Sequence, residues 1–182
     1  MDLQDTYVSA LRFASLKHKG QNIPGTELPY IVHVVQVATE VLIAVHKTES
    51  LKADFAVTLA LLHDVLEDTK VTYEEINKLY GEEIADGVLA LTKFSNLEKK
   101  AQIKDSISRI KLLEKEVAAV KIADRIVNLD APAADWEKEK REKYKGDSLL
   151  ILHELAYAND YLAERLHKKI GDYESYVETG FK

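Results

Sequence analysis

Leu59-Ala60-Leu61-Leu62-His63-Asp64-Val65-Leu66-Glu67-Asp68-Thr69 sets four ionisable residues into an otherwise apolar run. Phe55, Leu59, Leu62 and Leu66 recur at helical spacing and make a core face, with Ala56, Ala60, His63 and Glu67 in the stripe beside it. The stretch therefore reads as a helix at the edge of a core, ending near Thr69. Asp64 and Asp68 are four residues apart, as are His63 and Glu67, so about one helical turn directs an imidazole and three carboxylates to one region. Carboxylates in such a place are costly unless a cation or a hydrogen-bond network compensates them, and a bound metal ion is the simplest compensation. A His-Asp pair by itself is weak, because two neighbours cannot complete a coordination sphere. Further ligands have to come from elsewhere in the chain.

The 182 residues suffice for one domain with a substantial core, and 1–182 is read as a single unit. Seven Gly and three Pro, abundant Ala, Leu, Glu and Lys, and no sustained apolar–polar alternation predict an all-α fold. The absence of cysteine excludes disulfides, thiolate metal sites and cysteine nucleophiles. An acidic N-terminus, with no apolar run read as membrane-spanning, predicts a cytoplasmic protein without signal peptide or membrane association. A formal charge of −6 argues against a nucleic-acid polymer as partner. A small anion in a locally basic pocket remains compatible with that charge, and homo-oligomerisation is left open.

Residues 5–19 read as a helix stopped by Gly20, followed by a loop over 21–28 and a helix that Pro29 opens, with His33 in its first turn. Ser50 is the expected cap of the organising helix. Thr72-Tyr73-Glu74-Glu75 has the pattern of a capping box, opening a short helix that Gly81 closes, and 82–91 makes another. After a break at 92–96, a charged helix is predicted over 97–115 with Ile103, Ile107, Ile110 and Leu113 inward.

Residues 116–129 are apolar almost all round, the mark of a helix buried on most sides. Yet Lys121, Asp124, Arg125 and Asn128 fall at i, i+3, i+4 and i+7 and form one polar stripe along it. A structural salt-bridge ladder competes with a functional site as its explanation; the site is favoured. Pro132 is expected to end this helix and Asp135 to cap the next. In that next helix Glu137 with Arg141 and Glu139 with Lys143 are four apart on a solvated face, and Trp136, Lys140 and Tyr144 form a second row. Gly146 is expected to break it, 149–170 to form an amphipathic helix, and the tail beyond Gly171 to be peripheral.

The candidate ligands are thus His33, His63, Asp64 and Asp124. Two imidazoles and two carboxylates suit Mn²⁺, Fe²⁺ or Zn²⁺ better than Ca²⁺ or Mg²⁺, and four ligands leave positions open for chemistry.

With these residues the chain resembles the HD superfamily of metal-dependent phosphohydrolases, whose pattern is a His, a His-Asp pair and a distant Asp. It is more closely similar to the hydrolase domain of the RelA/SpoT family and its free-standing members, the small alarmone hydrolases. The matching stretches are His18-Lys19-Gly20-Gln21, Pro29-Tyr30-Ile31-Val32-His33, Ala60 through Thr69, Lys121 through Leu129, and Trp136 through Tyr144. The resemblance implies an HD-type helical bundle in which His33, His63, Asp64 and Asp124 hold one Mn²⁺. It implies Glu67 and Asp68 as the catalytic acidic pair and Asn128 and Tyr144 as nucleotide contacts. The implied substrate is guanosine tetraphosphate or pentaphosphate (ppGpp, pppGpp), which loses its 3′-pyrophosphate. By their chemistry, as point charges or a fork, Lys121, Arg125 and Lys140 are the expected phosphate partners.

Two departures stand out. Val34 follows His33 where the family commonly has Pro. Asn22-Ile23-Pro24 occupies the loop where the family usually carries an Arg-Lys pair against the base, which predicts weak discrimination between guanine and adenine. Two alternatives remain: another HD enzyme, such as a nucleotidase, a phosphodiesterase or an NADPH 2′-phosphatase, and a non-catalytic nucleotide sensor.

Overall fold

The computed structural model describes residues 3–130 and 136–179. Its helices are α1 (Leu3–Lys17), α2 (Ile31–Thr48), α3 (Ala53–Leu62), α4 (Val65–Asp68), α5 (Tyr73–Tyr80), α6 (Glu82–Leu91), α7 (Lys99–Ile110), α8 (Lys115–Asn128), α9 (Lys138–Leu155) and α10 (Asp160–Thr179), with a 3₁₀ turn at Ala156–Ala158 before α10. The only β pairing among the described residues is an isolated bridge between Asn22 and Pro29, so the fold is all-α. The expected roles of Pro132 and Asp135 lie outside the described residues.

Helix α8 is the axis of the bundle. Every residue from Glu116 to Ile126 is buried, and α2, α3, α6, α9 and α10 all pack against it. A helix surrounded this way has to be apolar on most of its circumference, which leaves Lys121, Asp124, Arg125 and Asn128 as a narrow polar stripe. Leu59, Leu61, Leu62, Ile122, Ile126, Leu155 and Leu162 are fully buried in the core around it. On the outer side of α2, Glu40 accepts from two guanidinium nitrogens of Arg165, each at 2.5 Å, which fastens α10 to α2. Composition and length alone would allow α2 to cross a membrane, with a mean hydropathy of 1.3 over 18 residues, contrary to the reading that no run approached that length. Its apolar residues instead pack on α1, α3, α8 and α10.

The organising stretch is not one continuous helix. α3 ends at Leu62, and Asp64 (φ −106°, ψ 0°) stands between it and α4. His63 Nδ1 donates to Ala60 O at 2.8 Å, so an imidazole takes a carbonyl at the end of α3 while the chain turns. Ser50 does not cap α3. Its hydroxyl is engaged with Thr48 and Asn159, and α3 starts from Lys52, whose N–H goes to Glu116 Oε1 at 2.8 Å. The Thr72 cap does form, its hydroxyl accepting from Glu75 N, and Gly81 closes α5 at φ 91°.

Other boundaries differ from the sequence reading. α7 stops at Ile110 rather than running to 115, and a short turn leads into α8. Gly146 lies inside α9, whose break comes at Ala156–Ala158, and α10 runs through Gly171 to Thr179. The tail is not peripheral, because Tyr173 is among the fully buried side chains. The four-apart pairs on α9 are Lys138–Glu142 and Lys143–Asp147, while Arg141 donates to Trp136 O instead of pairing with Glu137.

Candidate active site

Three segments far apart in sequence meet at one point: the first turn of α2, the α3–α4 break and the C-terminal half of α8. His33, His63, Asp64 and Asp124 each offer a ligand atom there, and the four atoms lie within 4.8 Å of one another. His63 Nε2 is 2.8 Å from Asp64 Oδ2 and 3.3 Å from His33 Nε2. Asp124 Oδ1 is 3.5 Å from His33 Nε2 and 3.8 Å from His63 Nε2. Because Nδ1 of His63 donates to Ala60 O, its Nε2 is the nitrogen turned to the cluster.

Each carboxylate is held from outside the cluster. Tyr30 OH donates to Asp64 Oδ2 at 2.5 Å. Asn128 Nδ2 donates to Asp124 Oδ1 at 2.5 Å, and Lys121 Nζ lies 3.5 Å from Asp124 Oδ2. The salt bridge that competed with a site is therefore present, and it orients a residue of the cluster.

Electrostatics follow from this crowding. Burial opposes protonation of His33, but hydrogen bonds with Asp124 and Asp64 outweigh it and carry the imidazole up to about 9. His63 is also raised, against its burial, chiefly by the charge of Asp64. Burial would raise the two aspartates, but His63 and His33 draw Asp64 well below the usual carboxylate range, and Lys121 and His33 do the same for Asp124. Imidazolium protons thus compensate the carboxylates, and a divalent cation can replace them. Two imidazole nitrogens and two carboxylate oxygens this close together suit an ion bound at about 2.0–2.2 Å, and its binding displaces the protons.

His33, Asp64 and Asp124 of the cluster line a cavity of about 550 Å³, within the range typical of small-ligand sites. Glu67, Asp68, Lys121, Asn128 and Tyr144 line the same cavity. Asp68 is raised by burial and by the charges of Asp64 and Glu67, and its main-chain carbonyl accepts from Gln21 Nε2 at 2.6 Å. Burial also pushes the Tyr144 hydroxyl up to about 12. Of the expected phosphate partners, Lys121 is in the wall, whereas Arg125 is buried with its guanidinium over the Tyr144 ring at 4.2 Å and donates to Ser148. Lys140 lies over the Trp136 ring at 4.0 Å. A slightly larger cavity, about 620 Å³, opens beside Phe55, Tyr80 and Glu82. No histidine lines it, so size does not decide where the chemistry is.

Sequence reasoning left several cavity residues unassigned. Lys93 sits in the break between α6 and α7, where no periodicity marks it. Gln36 follows His33 by three residues, and helical spacing could have found it. Tyr173 lies in the tail read as peripheral, and Tyr30 was quoted within a motif without a role.

The profile of the HD domain matches residues 10–161. This chain belongs to the HD-domain family. The match spans all four residues of the cluster, His33, His63, Asp64 and Asp124. Among relatives, the chain is 30% identical over 145 residues to guanosine-3′,5′-bis(diphosphate) 3′-pyrophosphohydrolase MESH1 of Drosophila melanogaster, covering 76% of this chain and 78% of that one. It is 34% identical to the guanosine-3′,5′-bis(diphosphate) 3′-pyrophosphohydrolase of Aquifex aeolicus, over 81% of this chain but only 20% of that much longer protein. A solved structure of a metazoan SpoT orthologue, described as hydrolysing ppGpp, superposes with a TM-score of 0.78 at 26% identity, covering 92% and 94% of the two chains. Within the HD-domain family the resemblance is thus to alarmone hydrolases.

Proposed function

We propose that this HD-domain protein hydrolyses the 3′-pyrophosphate of guanosine tetraphosphate and pentaphosphate, with Mn²⁺ held by His33, His63, Asp64 and Asp124. The observation that carries this reading is the sharing of one cavity wall by His33, Asp64 and Asp124 of the four-residue cluster, the acids Glu67 and Asp68, and the lysines Lys93 and Lys121. The likeness to relatives named for this reaction supports it.

A divalent ion there supplies Lewis acidity toward phosphate oxygens and water. Glu67, whose side chain lines the cavity, takes a proton from the attacking water, whose oxygen forms the new bond to the phosphorus attached at the 3′-oxygen. The bond between that phosphorus and the 3′-oxygen breaks, and the 3′-oxygen takes a proton, for which Asp68, its carboxyl raised, is the donor. Lys121 stabilises the charge on the departing pyrophosphate, while Asn128 and Tyr144 hold the nucleoside. The loop wall of Ile23, Pro24 and Leu28 offers a purine an apolar surface, so the adenosine analogue is proposed as a second substrate.

Product analysis separates this reading from its competitors. Guanosine tetraphosphate should yield guanosine diphosphate and pyrophosphate in equal amounts. Orthophosphate from nucleotides or from NADPH would mark a different HD phosphohydrolase, and binding without products a sensor.

A further inference from the structure

Lys93 gives two donors to a single carboxylate. Its main-chain N–H reaches Glu67 Oε2 at 2.8 Å and its ammonium reaches Glu67 Oε1 at 2.7 Å. Lys93 is itself held from behind. Thr92 leaves α6 in an extended conformation (φ −68°, ψ 133°) with its hydroxyl on Val88 O at 2.9 Å. Arg109 of α7 donates to Thr92 O at 2.7 Å and to Leu89 O, is anchored by Asp105, and lies 4.2 Å from the centre of the Phe94 ring. Ser106 donates to Ala90 O at 2.7 Å. Carbonyls that the end of α6 leaves open are therefore taken by α7, and the backbone on both sides of Lys93 is pinned.

Glu67 lacks such support on its own element. α4 has four residues, and a glutamate side chain there has three rotatable bonds to order before it can meet a water at the right angle. A hydrogen bond to each oxygen removes that freedom in advance, and each oxygen keeps a further lone pair for the water. The Lys93 side chain is 41% exposed, so its position does not follow from core packing.

We infer that Lys93 is a positioning residue that fixes the Glu67 carboxylate for catalysis, with Arg109 of α7 holding Lys93 in place. The inference rests on the reading of Glu67 as the group that takes the proton of the attacking water. The charged helix α7, which lends none of its described side chains to the cavity wall, thereby gains a role in the site.

The test is a double-mutant cycle on the Mn²⁺-loaded protein with guanosine tetraphosphate. Lys93→Met keeps the stem and removes the ammonium. It should lower kcat by about 10- to 100-fold while KM stays within about 3-fold, with metal content and thermal midpoint unchanged. In a Glu67→Gln background the same change should cost less than about 2-fold, because the group it positions is already gone. Lys93→Arg should recover part of kcat. Equal losses in both backgrounds, or a raised KM at unchanged kcat, would overturn the inference and make Lys93 an independent phosphate contact. A wild type that releases no pyrophosphate sinks the functional reading, and the inference falls with it. A wild type that turns over, with Glu67→Gln impaired and Lys93→Met not, sinks the inference alone.

Discussion

His63 and Asp64 are adjacent in sequence yet serve one point in space because the backbone turns between α3 and α4. Their legibility came from chemistry: each of His33, His63, Asp64 and Asp124 is an ionisable group in an apolar helical setting, an expense that calls for compensation. Lys93 had no such signature, since a lysine in a loop is ordinary, and only the meeting of α4 with the end of α6 gives it a partner. Tyr30 was readable as part of a motif, but its bond to Asp64 Oδ2 depends on the loop 21–29 folding back, with Tyr30 N–H on Gln21 O at 2.9 Å. Tyr30→Phe removes that bond alone, so Mn²⁺ affinity, read by titration of the metal-free protein, should fall by about 10- to 100-fold. Unchanged affinity would show that Asp64 needs no outer partner. Glu67→Gln should lower turnover by roughly 100-fold or more with metal content near wild type, as expected on losing a general base. Loss of the metal in that variant would make Glu67 a ligand.

At the scale of elements, helix existence was legible and helix ends were not. Glycine was read as a stop signal at Gly146 and Gly171, yet both helices run through, because the cost of an interior glycine is only about 1 kcal/mol and flanking packing on α8 and between α9 and α10 outweighs it. A Cβ at Gly146 would meet nothing within 4 Å. Gly146→Ala should therefore stabilise the protein by about 0.5–1 kcal/mol in denaturant unfolding. Gly87 on α6 is the opposite case. A Cβ there would lie 2.5 Å from Leu59 Cδ2 and 3.3 Å from Val117 Cγ2, so the glycine permits the close approach of α6 to α3 and α8. Gly87→Ala should destabilise by about 1–3 kcal/mol, the scale of overpacking a core. Opposite signs at two helical glycines are the check; a stabilising change at both would mean that Leu59 repacks freely.

Across the whole molecule, the site ties α2, α3, α4 and α8 together, so its charge state is linked to stability. In the metal-free protein His33 is raised from 6.5 to about 9, so its contribution is fully present below about pH 6.5 and is lost as pH rises through 9. Asp64 and Asp124 are depressed, so theirs is present above their ordinary value of 3.8 and is lost as pH falls further. The metal-free protein should accordingly be most stable between about pH 4 and 6.5 in thermal unfolding followed against pH. Saturating Mn²⁺ should move the optimum upward, because the ion binds the deprotonated ligands. A metal-free stability that keeps rising from pH 7 to 9 would contradict the imidazolium-carboxylate compensation.

The most direct measurement is pyrophosphate release from guanosine tetraphosphate by protein stripped with a chelator and then titrated with Mn²⁺. The expected result is negligible release from the stripped protein and full recovery at one ion per chain, with guanosine diphosphate as the other product and no recovery in an Asp124→Ala variant. Full turnover in the metal-depleted protein, or orthophosphate as the recovered product, would contradict it.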